Sequence, residues 1–519
     1  MITLGELLRS LPSARVLGPT ATPIADIAYH SKAVRSGGLF VAVRGLQHDG
    51  HTFVAEAIAR GAVAVVVERP VEVSVGVTQV IVSDSRVALA SLSCAFFGEP
   101  SRAFSLIGIT GTNGKGTTAY LLDAVLARAG RRTGVVGTLG VKVGTQTTPL
   151  DRTTPEAPDL QRILRRMADH QLDNVLMEVA SHALALHRVD GCRFRGAVFT
   201  NLTQDHLDFH KTLEAYRDAK RTLFEMVDPD GNAAINADDP SASLMAAASR
   251  APVVTYGITS RADVRAEGLR LHLDGSEFTA VTPRGRLPVR LRLHGRFNVY
   301  NALAAIAAVD AQQIPLELIG QALAEFAGVP GRFEAVLEGQ PFAVIVDYAH
   351  TPDGLENVLQ AARGFSTGRT LVVFGCGGDR DRTKRPVMGK IAAQLGDVAI
   401  ITSDNPRSEQ PTAIIEEILT GIRDPGSEIR DQPSQARGLR PQARIEVEPD
   451  RRKAISRAIE LARPGDVVLI AGKGHEPYQE IKGVKHPFDD REVAREVLRQ
   501  LRRGQGSGVG GQGSEQGSW

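Results

Sequence analysis

The segment Gly111-Thr112-Asn113-Gly114-Lys115-Gly116-Thr117 carries the clearest chemistry in the chain. Glycines at this density let backbone N–H groups close around phosphate oxygens, a lysine bridges the outer phosphates, and a threonine hydroxyl suits a magnesium ion. The segment directly follows a short apolar run, Leu106 to Thr110, and directly precedes a helical pattern, Thr117 to Ala129. Strand, glycine-rich loop and helix in that order predict a nucleotide-phosphate site, although GxxGKGT has fewer residues between its glycines than the usual phosphate loop. Phosphoryl transfer through magnesium needs further ligands near the loop. Two apolar runs end in suitable side chains: Val175 to Met177 runs into Glu178, and Val198 to Thr200 leads to His206 and His210. Thr117, Glu178 and His206 thus offer ligands from three strand ends. His206 and His210 stand four apart, with no cysteine or third histidine nearby to complete a zinc set.

Lys220 is out of place in the pattern around it. A helix over Leu213 to Val227 aligns Leu213, Tyr216, Leu223, Phe224 and Val227 in one apolar stripe, with Lys220 in its middle. Either its methylene stem packs there while the ammonium reaches water, or partial burial favours the neutral amine. That amine could react with carbon dioxide to give a carbamate able to approach magnesium.

The elements that must position these groups belong to parallel sheets. Short runs rich in Val and Ile alternate with helical patterns through most of the 519 residues, the signature of βαβ units and an α/β fold. Residues 1–103 hold runs at Leu39 to Val43, Ala62 to Val67 and Val80 to Val82, then a helix, Arg86 to Phe97, stopped by Gly98-Glu99-Pro100. Residues 104–331 continue from the phosphate-site strand through Leu176 to Val179, Ala197 to Thr200 and Ala233 to Asn236. Alternation between 264 and 294 predicts antiparallel strands there, followed by a helix, Asn298 to Val309, and the breaker Pro330-Gly331. Residues 332–503 carry strands at Ala343 to Val346, Leu371 to Phe374, Val398 to Thr402 and Val467 to Ala471, a doubly wound pattern that binds ligands at strand carboxyl ends. The Gly- and Ser-rich residues 504–519 are expected to be disordered.

Composition narrows the function classes. With 61 basic against 59 acidic side chains, the formal net charge of +2 gives no field of the kind a nucleic-acid-binding protein needs. Uncharged apolar runs are too short for a membrane span. Cys94, Cys192 and Cys376 show no metal-ligand spacing and suit a reducing compartment. The first residues have Glu6 inside their apolar run and no basic region before it, unlike a secretion signal. A cytoplasmic monomer is expected.

Taken in order, these segments resemble the ATP-dependent Mur ligases. The resemblance covers residues 22 to 495 and rests on HSKAVRSGGLFVAVRG, ITGTNGKGTT, DRTTP, EVASHAL, TNLTQDHLDFH, YRDAK, GRFNVYNALAA, VPGRFE, VDYAHTPDGL, FGCGGDRDRTKRP, SDNPR and AGKGHE. It implies a three-domain Mur ligase architecture: an N-terminal domain for a UDP-sugar, a P-loop-type central ATPase domain and a C-terminal Rossmann-like domain for an amino acid. It implies that Lys115, Glu178, His206 and Lys220 are catalytic, and that Asn298, Arg332 and Asp347 join Gly111 to Thr117 in holding ATP. Thr117, Glu178, His206 and a carbamylated Lys220 would serve Mg2+. Ser31, Thr153, Thr154, Ala180, Leu186 and Arg188 match positions for a UDP-N-acetylmuramoyl dipeptide. Ala180 stands where the family commonly has serine, and Leu186 where a glutamine often contacts substrate, so two substrate hydrogen bonds are missing or replaced. Gly116 takes the place of a threonine frequent in the closest relatives.

Arg380, Asp404, Asn405, Pro406, Arg407, Gly472 and Glu476 match the amino-acid site. The DNPR form resembles that of members that add meso-diaminopimelate, whose far carboxylate suits the planar fork of Arg407. The implied reaction is ATP-driven conversion of a D-glutamate γ-carboxylate to an acyl phosphate, then attack by the donor amine, in peptidoglycan synthesis. The alternatives are L-lysine as donor, a folylpolyglutamate synthase, or a noncatalytic nucleotide-binding scaffold.

Overall fold

The computed structural model describes residues 2–45, 48–272, 275–423 and 443–506. Three large sheets organise them. In the first, Asp26–Ala28, Gly38–Val41, Ala62–Val67 and Thr78–Ile81 run parallel, and Arg15–Leu17 adds antiparallel at one edge. Small β-branched side chains dominate because both faces are covered: Val65 and Val67 pack beneath one face, Ala64 and Val66 the other. The helix Ser85–Phe96 begins where Asp84 accepts from the Arg86 and Val87 amides.

The central sheet has eleven strands. Its parallel core sets the strand Ser105–Thr110 directly between Asn174–Glu178 and Phe194–Phe199. Glu178 stands beside Ile109 and Phe199 beside Thr110, so the loops that follow all three strands leave the sheet together. On one face pack the helices Lys115–Arg128 and Arg296–Val309. The second is buried over nearly its whole surface, which its run of alanines permits. On the other face, Leu160 and Leu164 of the helix Ala157–Asp169 meet Leu223 and Phe224 of the helix Leu213–Glu225.

The alternating segment near 264 forms Val264–His272, Gly275–Thr282 and Gly285–Leu291, of which the last two add antiparallel, while the first joins Val253–Gly257 in parallel. At the opposite edge Gly140–Val143 and Gln146–Thr148 extend the sheet antiparallel. These two strands have no apolar periodicity and escape a sequence reading; Gly144, at φ +59°, turns the chain between them.

In the third sheet, Ala343–Asp347, Val467–Ala471, Thr370–Phe374, Val398–Ile401 and Arg444–Val447 lie side by side in parallel, with Glu334–Ala335 antiparallel at the edge. The last of these in the chain, Val467–Ala471, sits between the first and second parallel strands, Ala343–Asp347 and Thr370–Phe374. The closing helix Asp490–Gly506 continues past the expected end of the third domain at 503, and residues 507–519 of the expected tail lie outside the described residues. Among the described residues no helix is long and apolar enough to cross a membrane.

Arg451 and Asp490 are both fully buried and lock this last helix to the sheet. Arg451 Nη2 donates to Asp490 Oδ2 at 2.7 Å and to Ala471 O at 3.0 Å. Removing one partner strands the other charge away from water, so Asp490→Ala should cost about 3–5 kcal/mol. Urea unfolding measures this, and an Arg451→Met/Asp490→Leu pair should recover most of the loss.

Candidate active site

After Thr110 the chain turns through two glycine-favouring conformations, Gly111 at φ +152° and Gly114 at φ +84°. Side chains are excluded there: a Cβ on Gly111 would lie 1.8 Å from the Thr200 hydroxyl, and one on Gly114 2.4 Å from Asn301 Oδ1. The neighbouring strand end braces the loop, since Asn201 Oδ1 accepts from Asn113 N at 2.9 Å and Thr200 Oγ1 donates to Asn113 O at 2.6 Å. The expected phosphate segment is therefore a preformed loop capping the helix Lys115–Arg128. Thr117 is buried in the first turn of that helix.

Two lysines fold onto this loop. Lys115 Nζ donates to Gly111 O at 2.9 Å and Thr112 O at 2.8 Å, and Lys220 Nζ donates to Gly111 O at 2.8 Å. Lys220 is only 1 % exposed and lies 4.3 Å from the centre of the Tyr216 ring. Its stem does not carry its amine out to water. Burial, and then the neighbouring Lys115, hold the Lys220 amine well below the usual lysine range. The helix around it is shorter than the apolar stripe suggested: Leu213 is exposed and Val227 opens the next strand, while Tyr216, Leu223 and Phe224 are buried as expected.

Glu178 faces the same cavity. Its Oε1 accepts from Thr138 N at 2.8 Å, and a Cβ on Gly137 would sit 2.2 Å from that oxygen. A Cβ on Gly116 would stand 3.2 Å from it, so glycine at this position leaves the carboxylate more room than a residue with a side chain would. His206 caps the short helix Leu207–His210 in a left-handed conformation, φ +56°, with Nε2 3.3 Å from Asp205 Oδ2. Contrary to the expectation that no third histidine lies nearby, the helix Ser181–Ala185 brings His182, with ring centres 4.7 Å from His206 and 5.5 Å from His210. His210 Nε2 is 2.9 Å from Ser181 Oγ. Burial pushes His206 down to about 2 and His182 and His210 to about 4, so all three rings are neutral at physiological pH. Among the described residues no group of His, Cys, Asp and Glu forms a complete metal cage by itself.

The third domain closes the cleft, which holds about 140 Å3 of space accessible to water. Arg332, Tyr348 and His350 line it opposite Lys115, Glu178 and Lys220, and the Arg332 guanidinium stacks 4.4 Å from the Tyr348 ring centre. Among the contacts that tie the central and third domains together, Asn113 Nδ2 donates to Asp353 Oδ2 at 2.7 Å, Gln204 Nε2 donates to Thr383 Oγ1 at 3.0 Å, and Lys384 pairs with Asp205 at 3.6 Å. Burial raises the Asp205 carboxyl, but the Lys384 ammonium and a hydrogen bond donated by the His206 backbone N–H at 2.9 Å outweigh it and favour the ionised form.

Of the expected nucleotide residues, Gly111 to Gly116 and Arg332 are at the cleft or its rim. Asn298 reaches it indirectly, its Oδ1 accepting from Asn301 Nδ2 at 3.0 Å. Asp347 serves its own loop, accepting from Phe333 N and Ala349 N, both at 2.7 Å, and burial lifts its carboxyl to about 6. Thr153 and Ala180 line the cleft. The Thr154 hydroxyl donates to Glu178 O at 2.8 Å and accepts from Ala180 N at 3.1 Å. Arg188 pairs with Glu156 at 3.0 Å, leaving its buried Nε without a partner among the described residues. Leu186 is half-buried at the end of the Ser181–Ala185 helix, and Ser31 lies in the first domain, donating to Glu56 Oε2 at 2.9 Å.

The expected amino-acid residues gather at the carboxyl ends of the third sheet. Asn405 is their hub: its Nδ2 donates to Glu476 Oε2 at 2.8 Å and its Oδ1 accepts from Glu480 N at 2.8 Å. A Cβ on Gly472 would collide with Asp404 Oδ2 at 2.4 Å, and one on Gly378 with Pro406 O at 2.0 Å. Arg407 Nη1 donates to Gly378 O at 2.7 Å while its Nε stands 3.3 Å from Glu480. Arg380 is exposed and donates to Asp379 O at 2.9 Å. Tyr348 joins the two halves, with Arg332 over its ring and its hydroxyl 3.5 Å from Glu476 Oε1. Sequence reading missed Thr138, Asp205, Tyr348, His350 and Lys384. Asp205 carried a signal as an acidic neighbour of His206, and Tyr348, His350 and Lys384 lie inside the VDYAHTPDGL and FGCGGDRDRTKRP segments without a role of their own; Thr138 lies in none of the quoted segments.

Comparison with known proteins matches the whole framework. Residues 23–96 fit the model of the Mur ligase family, catalytic domain, 109–309 that of the Mur ligase middle domain, and 331–474 that of the Mur ligase, glutamate ligase domain. A UDP-N-acetylmuramoyl-L-alanyl-D-glutamate--2,6-diaminopimelate ligase of Geobacter metallireducens is 48% identical over 97% of this chain and 100% of its own. One of Bacillus velezensis is 46% identical over 92% of this chain and 95% of its own. A solved structure of a ligase of that name superposes with a TM-score of 0.66 at 33% identity, covering 96% of this chain and 100% of the other. A folylpolyglutamate synthase of Mycobacterium tuberculosis complexed with ADP shares the fold alone, with a TM-score of 0.61 at 19% identity over 80% of this chain and 94% of its own. The chain belongs to the Mur ligase family.

Proposed function

We propose that this chain uses ATP to join meso-diaminopimelate to the D-glutamate γ-carboxylate of UDP-N-acetylmuramoyl-L-alanyl-D-glutamate, a step of peptidoglycan synthesis. The observation that carries the reading is near full-length likeness, at 44–48% identity, to relatives bearing that ligase's name. The match of residues 23–96 to a Mur family model disfavours a folylpolyglutamate synthase, which resembles this chain only in the later domains. Retention of Lys115, Glu178, His206 and Lys220 around one cleft disfavours a scaffold without catalysis.

A carboxylate resists attack by an amine, so the γ-carboxylate first takes the outer phosphoryl group of ATP and becomes an acyl phosphate. Lys115 exchanges its two loop carbonyls for phosphate oxygens, and the N–H groups at the start of the helix Lys115–Arg128 share that charge. Arg332 adds a second cation from the third domain. The amine of the donor then attacks the acyl carbon, and phosphate leaves. Closure of the third domain keeps water from the acyl phosphate.

The donor set suits Mg2+ if Lys220 is carbamylated. Glu178 and the neutral ring of His206 line the cleft beside the Lys220 amine, with Thr117 buried in the first turn of the adjoining helix, and an amine is a poor ligand for a hard cation. Addition of carbon dioxide to the neutral Lys220 amine releases a proton and supplies carboxylate oxygens. When bound, magnesium offsets negative charge on the transferring phosphoryl group. Thr153 and Ala180 at the cleft wall, with Arg188, whose buried Nε has no partner among the described residues, would hold the UDP-dipeptide. The reading locates the work in the cytoplasm and needs one copy of the chain.

For the donor, Glu476 suits an ammonium group and Arg407 the far carboxylate of diaminopimelate. A second reading, L-lysine as donor, is favoured by one observation: Arg407 is already engaged by Gly378 O and Glu480. The assay is ADP and phosphate release with Mg-ATP and the UDP-dipeptide, supplied with each donor in turn. Turnover with diaminopimelate only is expected; turnover with lysine instead would overturn the donor assignment, and silence with both would overturn the ligase reading. Arg407→Ala should raise KM for diaminopimelate by about 100-fold, the scale of a lost charge-assisted pair, and leave KM for ATP unchanged. Gly137→Ala pushes against Glu178 and should lower kcat by about 100-fold, with folding checked by circular dichroism.

A further inference from the structure

Asn113 is held from two domains at once. Within the central domain its N–H donates to Asn201 Oδ1 at 2.9 Å, and its carbonyl accepts from Thr200 Oγ1 at 2.6 Å and Asn201 Nδ2 at 3.1 Å. Its side chain crosses to the third domain, where Nδ2 donates to Asp353 Oδ2 at 2.7 Å and Oδ1 accepts from Thr351 Oγ1 at 3.4 Å. Thr351 caps the helix Pro352–Phe365, accepting from Gly354 N at 3.0 Å, and Asp353 lies in its first turn. The packing is close: a Cβ on Gly354 would stand 3.6 Å from Asn113 Oδ1.

A carboxylate in this place needs a reason. Beside a loop that receives phosphates it repels the ligand, and the reaction derived above gives it no task. The cap of its helix is already supplied by Thr351. Besides a side-chain hydrogen bond with Asn357 on its own helix, Asp353 provides an acceptor for Asn113, whose side chain reaches across the domain boundary from the phosphate loop.

We infer that Asp353 is a positioning residue, which makes the direction of the Asn113 side chain on the preformed phosphate loop depend on the docked third domain. The inference rests on the ATP-dependent reading above. It assigns to the Asn113–Asp353 bond the coupling between nucleotide binding and closure: a nucleotide that engages the loop with Asn113 so directed favours docking, and docking in turn favours the nucleotide, by the same factor.

A double-mutant cycle tests it on the full-length protein. Asn113→Ala and Asp353→Ala each remove the bond, and Asp353→Asn keeps an amide oxygen as acceptor. The cycle is read on the dissociation constant of a nonhydrolysable ATP analogue, which does not involve the ligated substrates, and on kcat with the UDP-dipeptide and diaminopimelate. Each alanine variant should weaken analogue binding by about 5- to 10-fold, the scale of one hydrogen bond. The double variant should be no weaker than the worse single, and Asp353→Asn should stay within about twofold of the parent. Losses that multiply in the double variant would overturn the inference, as would an Asp353→Asn variant no better than Asp353→Ala. Unchanged melting temperature of Asp353→Asn guards against a folding artefact. A parent protein silent in ligation would defeat the ligase reading while leaving the binding cycle to decide this one.

Discussion

Two lysine side chains converge on one backbone carbonyl, Gly111 O, and the rest of the site is arranged around that crowding. Two cations cannot share a buried acceptor without cost, and the tension is relieved in the way most useful to the chemistry: burial and the neighbour push Lys220 toward its neutral form, while Glu178 opposes the same burial at Lys115. The carbonyl is available only because Gly111 adopts a conformation closed to other residues, with Thr200 filling the space a side chain would take. That in turn depends on Ser105–Thr110 and Phe194–Phe199 being neighbours in the sheet. Local backbone geometry, strand order and side-chain ionisation are thus links of a single chain.

The same economy of space governs Glu178. Its carboxylate occupies volume that Gly137 and Gly116 leave empty, and the Thr138 amide fixes its direction. A strand that ends in glycine usually marks a turn; here it makes a slot for a neighbouring strand's functional group. The neutral histidines follow from burial in a cluster of rings rather than from a hydrogen bond to any one partner.

The parts of this architecture legible in the sequence are those that obey a local rule. Buried parallel strands read clearly because both faces are apolar, as in Ala62–Val67 and Val467–Ala471, and the phosphate loop because its conformations demand glycine. Lys220 was conspicuous because a charge in an apolar stripe violates the pattern of its own helix. Residues that act across domains gave no such sign. Lys384, Tyr348 and His350 sit in sequence neighbourhoods that look like loop or helix start, and their role exists only once the third domain closes. His182 was invisible as a neighbour of His206 because the contact depends on how the Ser181–Ala185 helix packs. Arg407 is singled out only by resemblance, and its engagement by Glu480 follows from a hairpin, Tyr478–Ile481 with Val484–Pro487, far along the chain.

The position of Val467–Ala471 in the third sheet has a consequence for how the chain is made. The strand lies between Ala343–Asp347 and Thr370–Phe374, so two strands synthesised more than ninety residues earlier wait for it with facing edges unpaired. Until residue 471 has emerged from the ribosome, the third domain holds a gap lined with unpaired backbone groups, a template for pairing with other chains. The slow, nonlocal insertion of this one strand is therefore the step at which newborn molecules are most exposed to aggregation and proteolysis.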